Sequence, residues 1–393
     1  MTSILDIIGG GRTNKDWQTI APVSAEHEAV YNKLGPRIGR SIQGNLMHYA
    51  TGGMKDENGD LWISSYYQQV HRLTPGLEID YTPAIDYQAP ASGDGVAYLQ
   101  DMCVTTDGSE LILACSYGHH CVRVYNRNTG ALISTIGVPN GTGALDAGRL
   151  DNPHSALRLP NGNIIVSNYN GDVSGTTNRG HITEWDISAP VATFVASRMD
   201  FSHNGGVSEV GSSAIYGPMR IIWDNDSSHI WVSEYRRARI LKIDPTTWQT
   251  VDIIHTPTGS PSIGNSFGLC QMEDGTLVVA ANAGRKVIGI NPETKAVAFI
   301  IDPAEYGGSA NTMRGVFEIE PGFIAWSDWS TQMIYVSAVG DYSVQYEAPE
   351  IREGYEIVNM PAGMTADFTM TVPVKSIMDN VTPVHILSQK AAT

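Results

Sequence analysis

Three sets of side chains in this sequence combine a reactive or binding chemistry with a regular spacing. The first is a polar residue that closes a recurring apolar run: Ser65, Ser116, Asn168, Glu234, Asn282 and Asp328. Asn, Glu, Asn and Asp in consecutive copies are hard oxygen donors that would suit Ca²⁺ if they converged. The same position can instead hydrogen-bond the backbone of a nearby loop, and both readings stay open here. The second set is the aromatic that follows: Tyr66, Tyr117, Tyr169, Tyr235 and Trp329, with Ala283 in its place in the fifth copy. Rings at repeated positions either offer a stacking surface for a sugar or peptide, or pack each copy against its neighbour.

The third set comes from aligning the copies on their first turns, which brings Thr51, Gln100, His154, Met219, Phe267 and Arg314 into register. A one-residue slip would substitute Asp101 or Arg220. Metal chemistry asks for three or four converging oxygens, or three imidazoles with an open position, and this set holds neither. His154 and Arg314 therefore join the five aromatics as candidate binding residues. No catalytic residue, metal ligand or cofactor is expected. His119-His120 beside Cys121 reads as a solvated pair whose rings point apart. There is no Gly-x-Ser-x-Gly elbow, no P-loop and no dinucleotide fingerprint. Cys103, Cys115, Cys121 and Cys270 form neither a Cys-x-x-Cys pair nor a disulfide framework, so buried thiols are expected.

The elements that must position these residues repeat six times. Each copy has an apolar run, a Gly-bearing turn, a second apolar run ending in a small residue, then the polar residue and the aromatic. Successive final residues are 51, 52, 66, 48 and 46 positions apart. A period near fifty with short strands inside each copy predicts radially arranged sheets. The third copy is the clearest: Asn161-Gly162 joins Ser155–Leu159 to Ile164–Ser167 as a hairpin. A third strand follows at His181–Trp185 and a fourth near Val191–Val195. First turns recur at Asn58-Gly59, Asp107-Gly108, Asp226-Ser227-Ser228, Asp274-Gly275 and Pro321-Gly322. Four strands per copy predict an all-β, six-bladed β-propeller over residues 41–344.

The segments Gly137–Gly143 and Leu150–His154, followed by the Asn-Gly hairpin, resemble an NHL repeat of the six-bladed propeller superfamily. That resemblance implies the fold, and it is compatible with enzymes, scaffolds and ligand binders alike. Tight first hairpins predict a plain surface on one side of the disc. The long segments Gly137–Asn152, Asn170–Gly180 and Ser197–Gly217 all fall on the other, where binding is expected.

The chain has 393 residues, is 42% hydrophobic and carries a net charge of −16. Such an acidic body repels phosphate backbones, so nucleic acid is not an expected partner. No apolar run is long enough to span a bilayer, and Met1–Gly9 lacks the pattern of a secretory signal. Residues 1–40 predict an N-terminal arm with a short helix over Ser24–Gly35. Residues 345–393 predict a β-rich tail with strands near Tyr355–Val358, Phe368–Val372 and Val384–Leu387. A propeller flanked by apolar arms is similar to the design of some podovirus tail proteins. The expected function is a non-enzymatic structural or binding propeller of a larger assembly, a bacteriophage virion at its tail, nozzle or receptor-binding end. Its partners would be other subunits and a host-surface glycan or protein, and outside a virion it would be cytoplasmic. The alternatives are a metal-dependent lyase or lactonase of the same superfamily and an NHL-type protein-interaction module.

Overall fold

In the computed structural model, the turns that punctuate the sequence join antiparallel strands into separate small sheets. The structure describes residues 50–56, 60–65, 69–73, 79–80, 99–104, 111–116, 118–139, 148–170, 180–200, 209–306, 313–329 and 333–339. The helical arm and the β tail expected at the two ends lie outside them. Blade one holds β1 (Ala50–Lys55), β2 (Leu61–Ser65), β3 (Gln69–Leu73) and β4 (Ile79–Asp80). Blade two holds β5 (Leu99–Val104), β6 (Leu111–Ser116), β7 (Cys121–Asn126) and β8 (Leu132–Ile136). Blade three holds β9 (Pro153–Arg158), β10 (Ile164–Asn168), β11 (His181–Asp186) and β12 (Thr193–Asp200). Blade four holds β13 (Pro218–Trp223), β14 (Ile230–Glu234), β15 (Arg239–Asp244) and β16 (Gln249–His255). Blade five holds β17 (Ser266–Gln271), β18 (Leu277–Ala281), β19 (Lys286–Ile290) and β20 (Val297–Ile301). Blade six shows β21 (Met313–Glu320), β22 (Phe323–Asp328) and β23 (Met333–Ala338) among the described residues.

Among the described residues every sheet is a simple meander, five of four strands and one of three. The first strands pack in order, β1 on β5, β5 on β9, β9 on β13, β13 on β17 and β17 on β21. Then β21 meets β1 and closes the ring. This is the six-bladed propeller that the period near fifty predicts.

The second strands explain why the apolar runs are continuous rather than alternating. A strand points successive side chains to opposite faces, and here both faces are covered by a neighbouring blade. In β10, Ile164 and Val166 enter the core shared with blade two, while Ile165 enters the core shared with blade four. In β14, Ile230 and Val232 face blade three and Trp231 faces blade five. In β18, Leu277 and Val279 face blade four, and Val278 and Ala280 face blade six.

Local chemistry sets the turns. The carboxamide of Asn126 accepts from the N–H groups of Asn128 and Thr129. Asp244 and Asn291 do the same for the residues two and three ahead. Asn and Asp at the end of a third strand thus build the same side-chain-closed turn in three blades. The fourth strand of blade three starts later than the sequence suggests. Val191 instead forms a bridge with Thr135 of blade two, with Ala192 donating to the Thr135 carbonyl.

Candidate functional site

Each first strand begins with a bulge, and the bulge decides what lines the mouth of the channel. In β9, Pro153 pairs with Asn168 and Ser155 with Ser167, so His154 is the extra residue. The same register shift isolates Thr51 in β1, Gln100 in β5 and Phe267 in β17. In β13 and β21 the N–H groups of Arg220 and Gly315 reach the hydroxyls of Ser233 and Ser327, which leaves Met219 and Arg314 as the extra residues. Bulges re-aim a side chain at the rim of a sheet. The aligned set Thr51, Gln100, His154, Met219, Phe267 and Arg314 therefore forms one structural ring with no slip. The small residue ending the second strand has a matching role. Ser167 and Ser233, like Ser327, accept the N–H that the bulge frees.

The polar ring differs from the sequence alignment in blade five. Ser266 of β17 pairs with Ala281, as Pro153 pairs with Asn168 and Pro218 with Glu234. Ala281 therefore occupies the polar position and Asn282 falls one residue beyond it. The loop after β18 has four residues, as have those after β6, β14 and β22, so aligning the copies on their final residue sets this blade one position too far along. The run of four donors is thus interrupted, as Asn168, Glu234, Ala281 and Asp328. Two of its members are spent on loops. The Asn168 carboxamide accepts from the Asp151 N–H at 3.2 Å. Glu234 is fully buried, accepts from the Tyr216 N–H at 2.8 Å, and holds Arg239 across the strand pair at 2.6 Å. The backbone-bonding reading of this position holds for both. Among the described residues no three His, Cys, Asp or Glu side chains come together as a metal-binding group.

The aromatics form one contiguous cluster instead of an open ring of faces. Tyr169 meets Tyr235 edge to face at 5.3 Å, and Tyr235 meets Phe267 in the same way at 5.3 Å. Asn282 stands at the aromatic position of blade five, one residue before the Ala283 that the sequence alignment placed there, and Phe267 from the first strand of that blade continues the cluster. His154 lies 5.6 Å from Phe267, ring to ring. The guanidinium of Arg314 sits over Phe267 at 3.8 Å and over Trp329 at 5.6 Å. Five of the seven candidate binding residues, His154, Tyr169, Tyr235, Arg314 and Trp329, are therefore joined through contacts at the mouth. Tyr66 and Tyr117 lie outside the described residues.

His154 is 3% exposed, and neither ring nitrogen has a hydrogen-bond partner. Burial, with the Arg314 charge beside it, pushes its pKa from 6.5 down to about 3, so the imidazole is neutral. The pair beside Cys121 is not solvated. His119 is buried, and His120 accepts the Asn152 N–H on Nδ1, tying blade two to the start of blade three.

Sequence reasoning passed over Tyr216, Arg236 and Arg237. Arg236 lies over Tyr169 at 5.0 Å and over Tyr216 at 5.8 Å, and Arg237 over Tyr216 at 5.3 Å. The available signal was the run Tyr235-Arg236-Arg237, two cations directly after a repeat aromatic in an acidic chain.

The hairpin side, expected to be plain, contains a cavity of about 590 Å³ lined by Trp223, Asn225, Gln271, Phe317 and Glu318 among others. Its polar side chains are largely engaged locally. Asn225 donates to the Met272 carbonyl, Gln271 accepts from the Asn225 N–H, and Glu318 accepts from the Gly322 and Glu273 N–H groups.

No protein family model matches the chain, and no curated protein matches it in sequence. Solved structures of propeller proteins are similar to it. A gluconolactonase from Xanthomonas campestris matches at 11% identity with a TM-score of 0.50, covering 83% of this chain and 96% of that one. An inactive virginiamycin B lyase from Staphylococcus aureus with quinupristin matches at 12% identity and 0.48, covering 78% and 89%. A chain of the nidogen/laminin complex matches at 12% identity and 0.49, covering 68% and 84%. At such identities the likeness shows the propeller fold alone. None of these three is a phage protein.

Proposed function

We propose that this chain is a non-enzymatic binding propeller of a larger assembly, making contact through the mouth on its loop-rich side. The observation that carries this reading is the polar ring, where Ala281 interrupts the donors and Glu234 is already held by Arg239 and the Tyr216 N–H. What remains at the mouth is a set of rings, guanidinium groups and one neutral imidazole, a surface suited to contact. A bacteriophage virion is the setting we propose. The apolar arms expected in residues 1–40 and 345–393 and the acidic body support it. Other virion subunits would take the arms, and a host-surface glycan or protein would meet the mouth.

Metal analysis of the purified protein tests the rival lyase or lactonase reading. Stoichiometric Ca²⁺ or Zn²⁺ that is lost with substitution of mouth residues would overturn the proposal. Deletion of residues 1–40 tests the assembly. The truncated protein should fold and fail to enter its complex, and unchanged incorporation would remove the docking role of that arm.

A further inference from the structure

We infer that the cavity at the hairpin end binds a small organic cation, an ammonium or guanidinium group carried on an apolar body, with its charge against Glu318 and Glu273. This is a second site, and it does not depend on the contact made by the mouth. The cavity of about 590 Å³ lies in the range of small-molecule sites. Trp223 and Phe317 bring rings to its walls, and Ile222 and Leu269 bring aliphatic groups. The neutral N–H donors of the lining are spent. Trp223 Nε1 donates to the Arg158 carbonyl, Asn225 Nδ2 to the Met272 carbonyl and Gln271 Nε2 to the Gly275 carbonyl. The acceptors keep capacity. Glu273 is exposed, and among the described residues neither its carboxylate nor the Oδ1 of Asn225 accepts a hydrogen bond. Each Glu318 oxygen takes one backbone N–H, from Gly322 or Glu273, and a carboxylate oxygen has room for a second.

A wall that only accepts calls for a ligand head that only donates, and ammonium and guanidinium groups are such heads. Electrostatics point the same way. Burial raises the Glu318 carboxyl above its ordinary range, and the charges of Asp274 and Glu273 raise it further. A cation seated beside it would offset both effects, and among the described residues neither Glu318 nor Glu273 is held by an ion pair. Two cations also border the cavity, Lys55 from blade one and Arg220 from blade four. Arg220 donates to the Met102 carbonyl and borders the narrow void at the waist, so it belongs to the inner end. Repulsion from these two limits the ligand to a single positive charge. A metal ion fits the lining less well, because rings and aliphatic groups offer it no oxygen. Among the described residues no three His, Cys, Asp or Glu side chains come together to hold one.

Calorimetric titration of the full chain with phenylbutylamine, phenylbutanol and phenylbutyrate, which share one apolar body, tests the inference. A capped lysine peptide supplies the ammonium without that body. The amine should bind, weakening as salt rises, while the alcohol, the carboxylate and the peptide bind at least about tenfold more weakly. Glu318→Gln should lose at least about tenfold in amine affinity. Because Glu318 also holds two backbone N–H groups, the exposed Glu273→Gln serves as a second variant that leaves those bonds intact. It should lose about threefold with its thermal unfolding unchanged. Absence of amine binding would overturn the inference, as would equal binding of the alcohol or the carboxylate. Equal binding of the lysine peptide would reduce the site to a non-specific acidic rim and overturn it too. So would unchanged amine affinity in both variants.

Discussion

The two ends of the channel separate space from chemistry. On the hairpin side lies a cavity of about 590 Å³, roomy enough for a small ligand, yet Asn225, Gln271 and Glu318 spend their polar atoms on neighbouring backbone. On the loop-rich side the void bordering Arg314 and Phe267 is only about 10 Å³, while guanidinium groups stack on rings and a buried imidazole has both nitrogens unbonded. The roomy end is stabilised by its own turns, and the crowded end keeps polar capacity in reserve.

Glu234 gives the sharpest test of this contrast, because its carboxylate belongs to the scaffold of the mouth and not to its surface. Glu234→Ala removes the carboxylate from the buried Arg239 and the cap from the Tyr216 N–H, so a loss of about 3–5 kcal/mol is expected in denaturant unfolding. Glu234→Gln should lose less, since it can still accept from Tyr216. A loss under about 1 kcal/mol on truncation would place Glu234 among surface groups instead.

His154 should reveal itself through pH. Its folded pKa, about 3, lies below the ordinary 6.5, so on acidification the unfolded chain takes up the proton first. The associated stability is fully present above about pH 6.5 and falls by about 1.4 kcal/mol per pH unit toward pH 3. His154→Leu should flatten that slope by one proton between about pH 6.5 and 5. An unchanged slope would show that the imidazole is solvated and the mouth open.

The waist between the two ends is set by glycine. A Cβ on Gly268 would lie 2.6 Å from the Arg314 carbonyl oxygen and 2.8 Å from the Val316 nitrogen. Gly268→Ala should therefore cost about 1–3 kcal/mol by forcing β17 and β21 apart. At the hairpin end, Trp223→Phe loses the bond from Nε1 to the Arg158 carbonyl and should cost about 1 kcal/mol. A loss under about 0.3 kcal/mol would show that this bond adds nothing to the hairpin end.

Much of the fold was legible because its causes are local. Asn161-Gly162 and Asp274-Gly275 sit at turns where glycine adopts φ of +90° and +91°. The aligned ring from Thr51 to Arg314 was legible too, since each residue lies at a fixed distance from such a turn. Asn282 was misplaced because Ala280 and Ala281 both fit the small residue that ends the repeat's apolar run, and only the pairing of Ser266 with Ala281 decides between them. Arg236 and Arg237 were passed over because the Tyr216 that both contact precedes them by about twenty positions, in the connection between blades.

The sequence by itself determined the repeat, the hairpins, the residues entering the mouth and the acidic character of the whole. These depend on neighbours within a few positions and on periodicity. Tertiary structure decided which side chains satisfy one another: Glu234 with the Tyr216 N–H, Phe267 against Tyr235, Arg314 over a ring of the adjacent blade. Closing the ring brings distant segments into contact, and hydrogen bonds and ring contacts depend on distance in space rather than along the chain.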